Sequence, residues 1–425
     1  MPKLIYKKNP YGKFAGNEIK YALDCLNYDK KNKKNYVNLL EEKFSKKTKS
    51  RYAIAFNSGT STLHSCLAAL DVGYDDEVIT PAHTVIMCTL AILAQNAKPV
   101  YADIDSKTLN INPKDIERKI TKKTKAIIAV HMHGLPADMV EIMKISRKYN
   151  IPVIEDSAQC VLGKIGKKYV GSFGHLTSYS FETKKHISGF EGGMVTTNNK
   201  TLAKKVRKFG GLGYKTLKAK KAMTSLLPTV FQNPNFKRHD SLGLNYRMNE
   251  ITAAIVLGQL ENVDSLVNKR IKIANFFLSA IKNCSWLEPQ RVKKNYRHTY
   301  WTITLLFHKD KINLTWNDFY DLYKNKIKDG FYGGLSVVPE EPILKDFKAI
   351  KKYLPNYNKC NYCKSGSKRC IDTKIEYPCS VAYSVQPQMI QMKANYRNLN
   401  EAKKKSLILK KLINEINKKF SKINN

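Results

Sequence analysis

Long apolar runs are what this sequence most plainly lacks. No stretch approaches the roughly 18 consecutive apolar residues that a membrane-spanning helix needs. The N-terminus, MPKLIYKKNPYGKF, has no continuous apolar segment of the kind a secretory signal carries. A soluble, cytoplasmic protein is expected. Acidic residues are scarce as well: 35 Asp and Glu face 74 Lys and Arg, a net charge of +39. Such an imbalance attracts polyanions over long range. The lysines, however, are spread along the whole chain and mixed with Asn and Ile, as in KKNKKN at residues 30–35, and no zinc-finger, RNP-like or basic-zipper pattern accompanies them. Nucleic-acid binding is therefore not expected; the charge would instead draw in an anionic small substrate. Nine cysteines, an odd number without a signal peptide, argue against a disulfide framework. Four of them, Cys360, Cys363, Cys370 and Cys379, follow Cys-x2-Cys-x6-Cys-x8-Cys, which could in principle hold tetrahedral zinc. Only the first pair has knuckle spacing, so reduced loop thiols are expected and no metal is assigned.

What is present suggests a large domain and a smaller one: 425 residues, 43% of them hydrophobic, can fill two cores. From about residue 50 to 200, short apolar runs alternate with helical patterns. AIAF (53–56), EVIT (77–80), PVYADI (99–104), AIIAVHMH (126–133), IPVIED (151–156), TSYSF (177–181) and GMVTT (193–197) read as strands. TLHSCLAAL, TLAILAQN and DMVEIMKISRKYN read as helices between them. This rhythm predicts a parallel or mostly parallel sheet with helices on both faces, and ligands at its strand ends. Beyond residue 200 the pattern is more helical, and a domain boundary is expected inside the stretch 251–281. YWTITLLF (300–307) reads as a strand, and Ile408, Leu412, Ile416 and Phe420 mark a packing stripe on a terminal helix.

Three constellations could carry chemistry. In FNSGTSTLHSCLAAL (56–70) a strand ends in Ser-Gly-Thr-Ser and a helix begins, so unpaired amides, hydroxyls and a glycine could bind phosphate; simple helix capping is the bland alternative. In IPVIEDSAQ (151–159) a strand runs into the adjacent carboxylates Glu155 and Asp156, able to hold a cationic ring nitrogen or a metal, or merely to cap a helix. In SFETKKHISGFEGG (180–193) three acid/base groups, Lys184, Lys185 and His186, stand side by side, and local chemistry does not choose among them. A phosphate turn, a strand-end carboxylate and a lysine are together what pyridoxal 5′-phosphate (PLP) requires.

The order and spacing of NSGTSTLHSCLAAL, DEVITPAHTVI, KPVYADID, VIEDSAQ, SFETKKHISGFEGGMV, LGLNYRMNEITAAIVLGQLE and VQPQMIQMKANY resemble the DegT/StrS-type sugar aminotransferases. The likeness covers nearly the whole chain. It implies a fold-type I PLP-dependent transferase: a large domain (51–265) with a mostly parallel seven-stranded sheet, a smaller C-terminal α+β domain (266–425), and an N-terminal segment (1–50) packing on the small domain. By position, Gly59, Thr60 and Ser61 match the phosphate turn, joined by Ser180. Asp156 matches the partner of the pyridine nitrogen, and Gln159 the residue at the cofactor's ring and 3′-oxygen. The Schiff-base lysine, five residues after the serine of the SF pair, falls at Lys185. Asn245 matches the residue that reaches the cofactor of a neighbouring subunit, which implies a homodimer with shared active sites; Arg247 serves an anionic group or braces the turn. The implied reaction converts a nucleotide-linked keto-sugar, in the first instance a 4-keto-6-deoxy sugar, to the amino sugar with L-glutamate as donor, for surface-polysaccharide or glycan biosynthesis. Relatives with His at the lysine position resemble sugar dehydratases, and a non-catalytic relative that binds polyanions is a third reading. Two departures from the family pattern stand out. Phe190 occupies a position that is usually glycine. Val85 occupies the usual position of an aromatic ring over the cofactor, which leaves His83 as the nearby ring. His131 and His133 are expected at a strand end near the crevice, in packing or in contact with substrate.

Overall fold

A computed structural model describes residues 14–27, 34–220, 227–345 and 379–420. Helices α1 (Glu18–Leu26) and α2 (Tyr36–Thr48) come first. Each of the seven apolar runs then becomes a strand of one sheet. These are β1 (Tyr52–Phe56), β2 (Glu77–Pro81), β3 (Lys98–Ala102), β4 (Thr124–Val130) and β5 (Val153–Asp156). After a short hairpin, β6 (Lys164–Ile165) and β7 (Lys168–Tyr169), follow β8 (Leu176–Ser180) and β9 (Gly193–Thr197). The sheet order is β1-β9-β8-β5-β4-β2-β3. Pairings from β8 through to β3 are parallel, while β9 runs antiparallel to both β8 and β1.

The helices between these strands are α3 (Gly59–Ala69), α4 (Met87–Ala94), α5 (Pro113–Arg118) and α6 (Met139–Tyr149), with α7 (Lys200–Gly210) after β9. Ser58, Asn112, Asp138 and Asn199 cap α3, α5, α6 and α7 by accepting bonds from first-turn amides. Strand β4 shows why the strands read as unbroken apolar runs. Its residues Ala126, Ile128 and Val130 face one core with Leu63 and Leu67 of α3. The intervening Ile127 and Ala129 face another with Met139 and Ile142 of α6. A strand covered on both faces has no position left for a polar side chain.

After α8 (Pro228–Phe231), helices α9 (Glu250–Glu261) and α10 (Val263–Ile281) occupy the stretch expected to hold the domain boundary. Val263 and Val267 of α10 join the core around α9, whereas Ile273, Phe277 and Ile281 join a second core. That second core lies on an antiparallel sheet, β10-β12-β13, of β10 (Leu287–Pro289), β12 (Thr302–Phe307) and β13 (Met389–Lys393). It is completed by α11 (Trp316–Ile327) and a C-terminal helix (Leu399–Phe420). On that helix Leu412 and Ile416 are buried, and Ile408 and Phe420 are half-buried against the same core. Strand β11 (Tyr296–Arg297) pairs with β6.

The described part of the N-terminal segment does not pack on the small domain. It lies on α9 and β1 instead, with Tyr36, Leu40 and Phe44 in one core with Tyr179, Phe181 and Leu257. Buried Glu41 latches α2 by accepting from both terminal nitrogens of Arg207, at 2.9 and 2.7 Å, and from the Ala55 amide at 2.9 Å. Among the described residues no helix is long and apolar enough to cross a membrane. Cys360, Cys363 and Cys370 lie outside the described residues, and Cys379 is buried, its thiol directed at the Tyr101 carbonyl.

Candidate active site

The site forms where β1, β5 and β8 end. Beyond β1 the chain turns at Ser58 into α3, and a capping box fixes that turn: Ser58 Oγ accepts from the Ser61 amide at 3.1 Å while Ser61 Oγ accepts from the Ser58 amide at 3.2 Å. Ser61 is therefore buried and committed to holding the helix start. The first-turn amides of Gly59 and Thr60 have no intrahelical acceptor, and the Thr60 side chain is exposed. Gly59 lies against the end of β8: a Cβ placed there would be 2.8 Å from Ser180 Cβ and 3.1 Å from Ser180 Oγ. The two segments thus meet in a cradle that only a glycine permits. Gly193, opposite both Phe56 and Ser180 in the sheet, passes beneath the same turn, where any Cβ would collide with the Ser58 carbonyl.

Asp156 closes β5, paired with Ser178 of β8. Its carboxylate is buried and accepts from the Ala158 amide at 3.0 Å, with the Cys88 thiol 3.6 Å away. Burial pushes Asp156 above the usual carboxylate range, against the Ala158 amide and the charge of Lys185. Gln159, also buried, accepts from the His133 amide through Oε1 at 2.7 Å, which leaves its Nε2 as the free donor end.

The loop after β8 separates its three candidate groups. Lys184 is exposed, its ammonium 5.6 Å from the centre of the Tyr332 ring. His186 is buried and donates through Nε2 to the Thr299 carbonyl at 2.9 Å. Lys185 is half-buried, with Nζ 4.7 Å from the centre of the Trp301 ring. Burial holds its amine below the usual lysine value, partly offset by the charges of Asp156 and Glu182. Trp301 and Arg270, which bind this loop from the C-terminal half of the chain, carried no recognisable signal in the sequence; they sat in segments read as a strand and a helix.

Other expected residues fall at varying distance from this centre. Asn245 is exposed and accepts from Arg247 Nε at 3.1 Å. His83, the nearby ring expected over the cofactor, is wholly buried and faces His133, 6.3 Å between ring centres, and burial pushes it down to about 4. The segment around Val338, whose amide donates to the Ala82 carbonyl at 2.8 Å, covers it. Val85 is half-buried against the α3 core. His131 is a packing residue, bonded to Glu155 and the Ala137 amide. Phe190 adopts φ +70, the left-handed backbone that suits glycine.

Comparison with known proteins gives this arrangement its context. The model of the DegT/DnrJ/EryC1/StrS aminotransferase family matches residues 13–328. The chain belongs to that family. GDP-perosamine synthase of Escherichia coli O157:H7 is 37% identical over 293 residues, 69% of this chain and 75% of that protein. GDP-perosamine synthase of Caulobacter vibrioides is 34% identical over 294 residues, 68% of this chain and 74% of that one. Among solved structures, an aminotransferase from Psychrobacter cryohalolentis superimposes with a TM-score of 0.79 at 25% identity, covering 96% of this chain and 100% of that one. As a member of the DegT/DnrJ/EryC1/StrS family the protein is a PLP-dependent sugar aminotransferase, and its residues fit the cofactor. The Gly59–Ser180 cradle with its open amides suits a phosphate. The buried Asp156 carboxylate, whose contacts are one amide and one thiol, suits a protonated ring nitrogen.

Proposed function

We propose that the protein transfers the amino group of L-glutamate to a nucleotide-linked keto-sugar, most specifically a GDP-linked 4-keto-6-deoxyhexose, for the synthesis of a surface polysaccharide or glycan. The nucleotide follows the names of the relatives. The observation that carries the reading is the sorting of the 184–186 loop: Lys185 alone of the three is half-buried under Trp301 and feels the charge of Asp156, while Lys184 faces outward and His186 is spent on a backbone carbonyl. Bound at this site, PLP supplies an electron sink that makes the donor's α-proton removable. Asp156 keeps the proton on the ring nitrogen, and Lys185 Nζ, made less basic by burial, takes and returns the substrate proton. Gly59, Thr60 and Ser180 hold the phosphate, Ser61 fixes their turn, and the Gln159 amide donates at the ring oxygen. His83 stands behind the site.

Asn245 reaches the partner's cofactor in a homodimer. Support comes from its exposure beside Leu242 and Leu244, which are 86% and 40% exposed; apolar side chains grouped in this way mark a surface built to be covered. The dehydratase reading lacks a group, because the His186 side chain is occupied elsewhere. The test is borohydride trapping of PLP on the purified protein followed by peptide mapping. The adduct is expected on Lys185, and an adduct on Lys184 refutes the assignment. Incubation with glutamate and a GDP-linked 4-keto-6-deoxyhexose should then release 2-oxoglutarate and the amino sugar in equal amounts.

A further inference from the structure

Arg270 sits in α10, where one core hands over to the other, and its side chain is buried. Among the described residues all of its hydrogen bonds go to backbone carbonyls. Nη2 donates to the carbonyls of Lys184 at 3.0 Å and Lys185 at 2.9 Å, and Nη1 to that of Trp301 at 2.9 Å. Trp301 Nε1 donates to the same Lys184 carbonyl at 3.2 Å. One guanidinium therefore fixes both the main chain of the cofactor lysine and the main chain of the ring that its amine rests on. Among the described residues no carboxylate pairs with Arg270. Burial pushes it down to about 10, so it remains cationic at neutral pH. No neutral side chain offers donors on two nitrogens to reach all three carbonyls, so the staple also brings a buried positive charge to the loop.

Resting on the assignment of Lys185 as the cofactor lysine, we propose that Arg270 is a positioning residue, which pins Lys185 beneath Trp301 and places a fixed positive charge behind its amine. The charged groups facing that amine are Asp156 from β5, Glu182 from its own loop and Arg270 from α10. The two carboxylates favour the ammonium and Arg270 opposes it. The same field reaches His186, which is held well below its ordinary value first by burial and then by Arg270. Without Arg270 burial alone opposes the two carboxylates, and Lys185 keeps its proton to higher pH.

The test titrates Lys185 in the apo protein, without cofactor or turnover. Acetic anhydride labelling at a series of pH values, with the Lys185 peptide read by mass spectrometry, gives the midpoint of the amine. In the wild type it is expected below the ordinary 10.5. Arg270→Met should raise it, by less than burial lowers it, while Arg270→Lys, which keeps the charge and loses the fork, should stay near wild type. In the PLP-loaded protein the pH midpoint of the cofactor absorbance should move the same way. A folded Arg270→Met with an unchanged midpoint overturns the proposal. So does a wild-type midpoint at 10.5, a result that does not depend on any variant folding. Failure of borohydride trapping at Lys185 would instead overturn the assignment of the lysine, leaving the titration to be judged by itself.

Discussion

Glu155 accepts a hydrogen bond from His131 Nε2 at 3.1 Å, and because His131 Nδ1 accepts from the Ala137 amide, the neutral ring suffices for both bonds. The same carboxylate accepts from the amides of Gly171, Phe173 and Gly174 at 2.7 to 2.8 Å. Its neighbour Asp156 has one amide and a thiol. Successive residues of a strand face opposite sides, so one carboxylate is consumed by the fold and the other is left for chemistry. Glu155→Gln would turn an amide NH2 toward two of those donors. It should cost about 3 kcal/mol of stability, read as a lowered urea midpoint. Asp156→Asn should leave the apo protein at least as stable as wild type, because a buried charge is removed. It should also lower kcat roughly 10²-fold. Equal losses of stability in the two variants would contradict this division.

The two carboxylates should also diverge with pH. Burial pushes Glu155 up, but His131 and the amides outweigh it and leave the group below its ordinary 4.5. Its stabilisation is therefore full above pH 4.5 and is lost as pH falls through the folded value. Asp156, raised above its ordinary 3.8, behaves oppositely: its folded-state preference for the proton helps below 3.8 and is lost as pH rises through the folded value. Urea unfolding of the apo protein between pH 4 and 7 should show Asp156→Asn gaining on wild type as pH rises. An advantage that is constant across that range would mean Asp156 is not perturbed.

Gly59→Ala tests the phosphate cradle. The added methyl, 2.8 Å from Ser180 Cβ, must push α3 and β8 apart. Overpacking of this kind costs about 1 to 3 kcal/mol, so PLP affinity measured by equilibrium dialysis should fall roughly 10- to 100-fold. Adding Ser180→Gly removes the atom that is struck and should recover stability of the apo protein but not PLP affinity, because the phosphate-binding hydroxyl goes with it. An unchanged affinity in Gly59→Ala would move the phosphate elsewhere.

The sheet and two of the three chemical constellations were legible because they are local. A strand buried on both faces shows as a continuous apolar run, and the turn before α3 and the end of β5 announce themselves within a few residues. The lysine loop was not legible in that way. Its residues gave three equal candidates, and only the resemblance selected Lys185. The physical reason is that its geometry is imposed from afar, by Arg270 and Trp301, whose own neighbours read as an ordinary helix and strand. The setting of His83 is hidden for the same reason: its burial comes with the distant segment around Val338, whose amide donates to the Ala82 carbonyl. Long-range packing decides which side of a loop faces a ligand, and no local pattern records it.

Phe190 shows what a departure from the family pattern can leave intact. Its backbone takes the left-handed conformation, φ +70, and the turn around it is closed by bonds from its amide to Ser188 Oγ at 3.2 Å and from Thr183 Oγ1 to its carbonyl at 3.1 Å. The phenylalanine therefore keeps the backbone conformation a glycine would favour and changes only what projects from it: an exposed ring, 5.2 Å from that of Phe14. A Cβ in this region costs about 1 to 2 kcal/mol, and a tilted aromatic pair returns about 0.5 to 1.5. Phe190→Gly removes both terms and loosens the unfolded chain, so its unfolding free energy should lie within about 1 kcal/mol of wild type. Phe190→Ala keeps the strained backbone and loses the ring contact, and should fall by about 1 kcal/mol. Phe190→Val adds a β-branch at positive φ and should fall further still. Denaturant midpoints order the three. If Phe190→Gly proved as damaging as Phe190→Val, the ring rather than the backbone would be holding the loop, and the phenylalanine would be a structural replacement instead of a tolerated one.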